Sequence, residues 1–156
     1  MKGETRGLAQ QAARQHGAFT SEQAFRFGLT DAGLRQLVAS GWCERSGPGA
    51  YRVRAAPRTP LQRLLIEVWC GGDSSVASHR SGGQVWKVPG YGRARPELTR
   101  PFGTFQGTKR SIVHVSLDLP PSHCMIQDAI PVTTPARTAF DLAGVVPFAR
   151  LERDVD

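Results

Sequence analysis

Four residues between positions 30 and 36 have side chains that could contact the edges of DNA bases. Arg35 and Gln36 are adjacent, and these residue types form paired hydrogen bonds with guanine and adenine, respectively. Thr30 and Ala32 precede them and are small, so a base edge could approach closely. We predict base contacts from these four residues, against the simpler alternative of a solvated helix face.

A second set of residues could contact the phosphate backbone. Arg45, Arg52 and Arg54 flank the Gly-rich turn at residues 46–49, and strand alternation predicts that their side chains point outward. Ser21 and Arg26 precede the base-contacting set and carry a hydroxyl group and a positive charge. We expect all five to contact the backbone or the minor groove, unless the arginines serve only solubility.

The histidines and cysteines form no pattern that predicts catalysis or metal binding. His79 has no second ligand residue at a metal spacing nearby, and the same holds for His114 in its strand-like segment. His123 and Cys124 are adjacent, but without an ordered partner sequence they are weak evidence of a nucleophile. The chain also lacks the glycine motifs of phosphate loops, dinucleotide sites and serine nucleophiles. We therefore expect no metal, no cofactor and no enzyme activity.

Positive charge is concentrated at the N-terminal end of the chain. The net charge is +7, and residues 1–58 hold nine Lys and Arg against four Asp and Glu, which is +5 of that total. Such an excess is typical of nucleic-acid binding, although it also serves solubility or membrane contact. No apolar run approaches a membrane span, and three widely separated cysteines predict neither a disulfide framework nor a zinc module. A folded cytoplasmic protein is the default expectation.

The elements that would position these residues follow one another in the first third of the chain. Apolar spacing and stop signals predict three helices and then two strands, at residues 5–16, 21–27, 30–39, 42–45 and 50–54. Ser21 and Thr30 are the expected N-caps of the second and third helices. Helix, short helix, helix and basic hairpin in this order predict a winged helix-turn-helix domain over residues 1–56.

Residues 57–156 are expected to form a second, mixed α+β domain. The pattern predicts three helices, at residues 60–70, 78–86 and 135–143, and two strands, at residues 97–100 and 111–117. Pro135 occupies the first helical position of the last helix. Arg137 and Asp141 are four residues apart there and are expected to pair on its exposed face. The predicted fold class is therefore α+β, with an N-terminal winged helix.

Several segments resemble the AbiEi-like antitoxins, the repressor partners in bacterial abortive-infection (type IV) toxin–antitoxin systems. In the N-terminal region the similarity is carried by FTSEQA (19–24), LRQLVASGW (34–42) and GAYRV (49–53). Further along it is carried by SHRSGG (78–83), Trp86, Val113-His114 and IPVTTPARTAFDLA (130–143). The last segment is the most specific, and the likeness covers nearly the whole chain.

The resemblance implies a winged helix that binds inverted repeats in its own promoter, and a second domain that represses the effect of a nucleotidyltransferase toxin. The expected partners are double-stranded DNA and such a toxin, with no membrane. Related chains commonly continue past the position of Asp156, and residues 151–156 look like the beginning of a helix, so we expect a truncated chain or a short form. Two alternatives remain: the DNA-targeting part of a nuclease whose catalytic domain follows residue 156, and a protein-interaction module without DNA binding.

Overall fold

The chain forms two compact units, Met1–Cys70 and Gly71–Asp156. The computed structural model describes residues 2–92, 95–103, 109–147, 149–150 and 152. In this described part of the chain, no helix is long and apolar enough to cross a bilayer. The helix start expected at residues 151–156 lies outside the described residues, apart from residue 152.

The first unit has the element order of a winged helix. Its elements are α1 (Lys2–Ala13), β1 (Ala18–Thr20), α2 (Ser21–Arg26), α3 (Asp31–Ala39), β2 (Cys43–Gly47), β3 (Ala50–Val53) and α4 (Pro60–Cys70). The strands form an antiparallel sheet in the order β1-β3-β2. The predicted winged helix-turn-helix is confirmed, but the sheet has a third strand, β1, which the sequence analysis did not predict.

Side-chain caps and glycine turns define the two helices of the helix-turn-helix. Thr30 caps α3 as predicted, because its Oγ1 accepts a hydrogen bond from the Gly33 amide. The cap of α2 is Thr20 and not Ser21: Thr20 and Gln23 bond to each other's backbone amides in a full capping box. Helix α3 stops at Gly41, whose φ of 77° lies in the left-handed region that suits glycine.

Apolar clusters lie on both faces of the small sheet. On one face, the ring of Phe19 contacts the rings of Trp42 and Tyr51, with centroid distances of 5.9 and 5.6 Å. These rings belong to the core in which apolar side chains of α1, α2 and α3 are buried. On the other face, Ala18 and Ala50 contact residues of α4. Both faces are therefore covered, one of them by α4.

The position of α4 changes the expected boundary between the two halves of the chain. The sequence analysis placed this helix in a second domain that starts at residue 57. In the structure α4 contacts all three strands of the wing sheet and belongs to the first unit, which extends to Cys70. The physical reason is that the second face of the sheet needs an apolar cover, and α4 supplies the next apolar helix face in the chain.

The second unit is built on a five-stranded mixed sheet. Its elements are β4 (Val76–Ala77), α5 (His79–Val85), β5 (Glu97–Pro101), β6 (Ile112–Ser116), a 3-10 turn (Pro121–His123), β7 (Cys124–Gln127), β8 (Ile130–Thr133) and α6 (Pro135–Ala143). The strand order is β6-β5-β4-β8-β7, in which β5–β6 and β4–β8 are parallel pairs. The α+β class is confirmed. The hairpin β7–β8 was missed, because its turn residues Asp128 and Ala129 adopt positive φ without a glycine.

Helix α6 begins as predicted but turns a different face to solvent. Thr134 caps it and Pro135 is its first residue, and Arg137 Nε lies 2.8 Å from Asp141 Oδ1. The expectation that this pair is exposed was wrong, since both side chains are largely buried, whereas Phe140 is 74% exposed. Arg137 also donates to the Asp118 carbonyl and to Ser116 Oγ, and these bonds hold the polar face inward.

Candidate nucleic-acid interface

One face of α3 is free of the core and carries the four residues predicted to contact bases. Thr30, Ala32, Arg35 and Gln36 are all exposed, whereas Leu34 and Leu37 on the opposite face are buried. The 3.6-residue period of the helix produces this division. The structure therefore brings the predicted base-contacting set together on a single accessible surface.

The four residues are not equally available for hydrogen bonding. Thr30 Oγ1 already accepts the Gly33 amide at 3.1 Å, so its hydroxyl has a structural role in the cap. Ala32 offers only a methyl group, which suits close approach or contact with a thymine methyl. Arg35 and Gln36 are the long polar side chains of this face. Base discrimination would therefore depend on these two residues.

A concave surface joins α3 to the wing. It is an open groove of about 340 Å³ lined by Asp31, Leu34, Arg35, Val38, Arg45 and Tyr51. Arg45 lies in β2 opposite Tyr51 in β3 and is exposed. The groove places the guanidinium-bearing residues Arg35 and Arg45 on the same surface although ten positions separate them in sequence.

Ser21 lies beside the turn of the wing. Its backbone amide donates to the Gly49 carbonyl at 2.8 Å. Gly49 has a φ of 63°, and a Cβ there would lie 3.4 Å from Ser21 Oγ, so a glycine suits this close approach. Arg26 is exposed at the end of α2, where its Nη2 pairs with Glu22 Oε1 at 2.5 Å. Both residues are thus at the surface, but Arg26 already has an anionic partner.

Arg52 does not point outward as the alternation of the wing suggested. Its side chain is buried, with the whole residue 6% exposed. The guanidinium donates to Glu44 Oε1 at 2.9 Å, to Gln62 Oε1 at 3.2 Å and to the Ala56 carbonyl. The cause is α4, which covers the sheet face that Arg52 shares with Ala50. Arg52 is therefore a structural residue of the first unit and is not placed to reach a phosphate.

Glu44 also pairs with two arginines that follow the wing hairpin. Arg58 Nη2 lies 2.7 Å from Glu44 Oε1, and Arg54 Nε lies 3.6 Å from Oε2. The hydrogen bond from Arg52, with the positive charges of Arg58 and Arg54, holds the pKa of Glu44 below its usual range. Arg54 nevertheless keeps 58% of its side chain exposed. Its contact with a phosphate stays a prediction. Arg58, whose side chain is 75% exposed, was not included in the predicted set.

The three cysteines are free thiols at buried or partly buried positions. Cys43 and Cys70 are buried, and Cys124 is partly buried. Burial raises the pKa of Cys43 to about 11 and also raises the pKa of Cys124. The neighbouring His123 faces Arg137, with 3.2 Å between Nδ1 and Nη1. The raised pKa of Cys124 disfavours its thiolate form, so the geometry adds no support for a nucleophile at the His123-Cys124 pair.

The second unit brings together the His–Glu–His cluster of His79, Glu97 and His114. The sequence analysis treated the two histidines singly and did not consider Glu97. The two imidazole rings stack with a centroid distance of 3.6 Å, and His114 Nε2 lies 3.2 Å from Glu97 Oε2. Burial and the neighbouring His114 lower the pKa of His79. Pairing of β5 with β6 produces this arrangement. No local spacing in the sequence could have revealed it.

Comparison with known proteins finds a match in the N-terminal region. Residues 8–54 match the family model described as a transcriptional regulator, AbiEi antitoxin, so the resemblance seen in the sequence is confirmed there. The crystal structure of the RV2827C protein from Mycobacterium tuberculosis is similar, with a TM-score of 0.57 and 13% identity, over 98% of this chain and 68% of that chain. At that identity the likeness concerns the fold alone. No curated protein matches the sequence. The family match concerns residues 8–54 and supports a regulator of the antitoxin type.

Proposed function

We propose that this chain, with its N-terminal AbiEi-type regulator domain, is a sequence-specific transcriptional repressor that acts on the promoter of its own toxin–antitoxin operon. The observation that carries the proposal is the exposed α3 face with Arg35 and Gln36, which continues into the groove shared with Arg45 of the wing. This arrangement suits a repressor that binds DNA as a winged helix, because the helix contacts base edges while the wing contacts the flanking backbone.

In this proposal α3 lies in the major groove of duplex DNA. Arg35 and Gln36 contact base edges, and each good paired contact contributes about 1–3 kcal/mol of discrimination. Arg45 and Arg54, with Ser21 and Arg26 as lesser contributors, contact phosphates and set the salt dependence. The expected target is a pair of inverted repeats.

The second unit would then serve the antitoxin role. We propose that it folds as its own domain and opposes a nucleotidyltransferase-type toxin encoded beside this chain, in the bacterial cytoplasm. Co-expression tests this part: the full chain should relieve growth arrest by the neighbouring toxin, whereas residues 1–70 alone should still bind DNA without relieving it.

DNA binding is tested by fluorescence-anisotropy titration with the chain's own upstream duplex and with a scrambled duplex, each at two salt concentrations. We expect tighter, salt-sensitive binding to the upstream duplex. Arg35→Ala should weaken binding to that duplex more than to the scrambled one. Arg63→Ala is the matched control, because it removes the same charge from an exposed position on α4.

Three other results would argue against the proposal. Equal loss on both duplexes for Arg35→Ala would remove this residue from base contact. Absence of binding to either duplex at low salt would favour the protein-interaction module. A carboxylate-rich nuclease motif encoded downstream of residue 156 in the full-length gene would favour the nuclease alternative.

A further inference from the structure

We propose that the second unit binds a divalent transition-metal ion of the Zn²⁺ type at the His–Glu–His cluster. One ligand atom from each of His79, Glu97 and His114 lies within 4.8 Å of the other two. Two imidazoles and a carboxylate are donors that Zn²⁺ and its first-row neighbours prefer, whereas Ca²⁺ and Mg²⁺ prefer all-oxygen sites. The cluster lies wholly within the second unit, so the proposal does not depend on DNA binding.

The spacing of the cluster is close to what such an ion requires. A tetrahedral ion with bonds of about 2.1 Å holds its ligand atoms about 3.4 Å apart. His114 Nε2 and Glu97 Oε2 already lie 3.2 Å apart. The third ligand must approach by no more than roughly 1.4 Å. One imidazole must also rotate out of the stacked arrangement, so that the nitrogen lone pairs of both rings point at the ion. On binding, His114 coordinates through Nε2 as a neutral imidazole, so the ring proton is carried on Nδ1.

Neighbouring groups orient two of the ligands. His79 Nδ1 lies 2.9 Å from Ser78 Oγ, which in turn accepts a hydrogen bond from Thr99 Oγ1 at 2.7 Å. When Nδ1 carries the proton and donates to Ser78, Nε2 of His79 is left as the ligand. Glu97 Oε1 accepts from Arg80 Nη1 at 2.8 Å, which leaves Oε2 for the ion. Such outer contacts are the usual accompaniment of a histidine and carboxylate site.

Backbone conformation and access also favour a ligand site. His79 has a φ of 50°, which is uncommon for a residue other than glycine and persists only where the surroundings require it. Glu97 is buried, with 2% of its side chain exposed, whereas the His114 side chain is 29% exposed. An ion can therefore reach the buried carboxylate from the His114 side. Three protein ligands leave a coordination position for water.

The proposal is tested on the full chain after removal of metals with a chelator. Calorimetric titration with Zn²⁺ should give one saturable site, and the affinity should fall at least about tenfold in His79→Gln and in His114→Gln. His16→Gln is the matched control, because it removes a histidine from the first unit. Circular dichroism of the metal-free variants checks that each is folded.

A second measurement needs no variant. Addition of Zn²⁺ to the wild-type chain should shift the imidazole NMR signals of His79 and His114 and leave those of His16 and His123 in place. The Co²⁺ form should show no thiolate charge-transfer band, because no cysteine belongs to the cluster. The proposal is overturned by no saturable binding, by unchanged affinity in both ligand variants, by a thiolate band, or by shifts confined to the other histidines.

Discussion

Replacement of Arg52 by methionine should destabilise the first unit without removing a phosphate contact. Methionine keeps much of the aliphatic stem but has no guanidinium, so three hydrogen bonds are lost. The bond to Glu44 is charge-assisted and contributes about 1.5–3 kcal/mol, and each of the others contributes about 0.5–1.5 kcal/mol. Because Gln62 is buried, water cannot easily replace its lost partner.

These contributions are not additive, and Glu44 keeps its contacts with Arg54 and Arg58. We therefore expect the free energy of unfolding to fall by about 2–4 kcal/mol. Arg54→Met is the matched control, because it removes the same charge from the same hairpin at an exposed position. It should cost less than about 1 kcal/mol, as is usual for an exposed ion pair.

Urea unfolding, followed by tryptophan fluorescence and circular dichroism, measures both variants. Anisotropy titrations at several salt concentrations then separate stability from DNA contact. Arg54→Met should lower the salt slope by about one, whereas folded Arg52→Met should keep the wild-type slope. Wild-type stability together with a reduced slope in Arg52→Met would refute the assignment of Arg52 as a buried structural residue.

Three further predictions follow from burial and charge. Because the pKa of Glu44 is lowered in the fold, the ionised carboxylate stabilises the folded state above its unfolded pKa, and this stabilisation is lost as the pH falls through the folded pKa. The urea midpoint of Glu44→Gln should therefore fall less than that of the wild type on acidification. Parallel plots of midpoint against pH for the two proteins would contradict this. Thiol titration of the native chain should modify Cys124 first, and Cys43 and Cys70 should react only after unfolding; early modification of Cys43 would argue against its burial. Gly82→Ala should cost about 1–3 kcal/mol by overpacking, since its Cβ would lie 2.7 Å from Thr138 Cγ2. Gly92→Ala meets no atom within 4 Å and is the control; equal stability of the two variants would contradict the close contact of α5 with α6.

Local patterns in the sequence were sufficient for the three helices and the hairpin of the winged helix, but not for β1. The period of Leu34 and Leu37 identified the buried side of α3, and hence the exposed side with Arg35 and Gln36. Thr30 and Pro135 marked helix starts, because capping and the fixed φ of proline act over only a few residues. These features could be read from the chain because their causes lie within one or two turns.

Contacts between distant segments decided the rest. Alternation along β3 shows that Arg52 and Tyr51 face opposite ways, but only the docking of α4 determines that the Arg52 face is covered. The buried orientation of Arg137 in α6 likewise depends on its bonds to Ser116 and Asp118.

The His–Glu–His cluster shows the same limit most clearly. His79, Glu97 and His114 are separated by 18 and 17 positions in the sequence, and only the parallel pairing of β5 with β6 beside the start of α5 brings them together. The sequence by itself thus determined the local elements and the accessible face of α3, because propensity and periodicity are properties of short segments. The tertiary structure alone decided which polar side chains are buried and which meet, because burial and proximity depend on what covers each face.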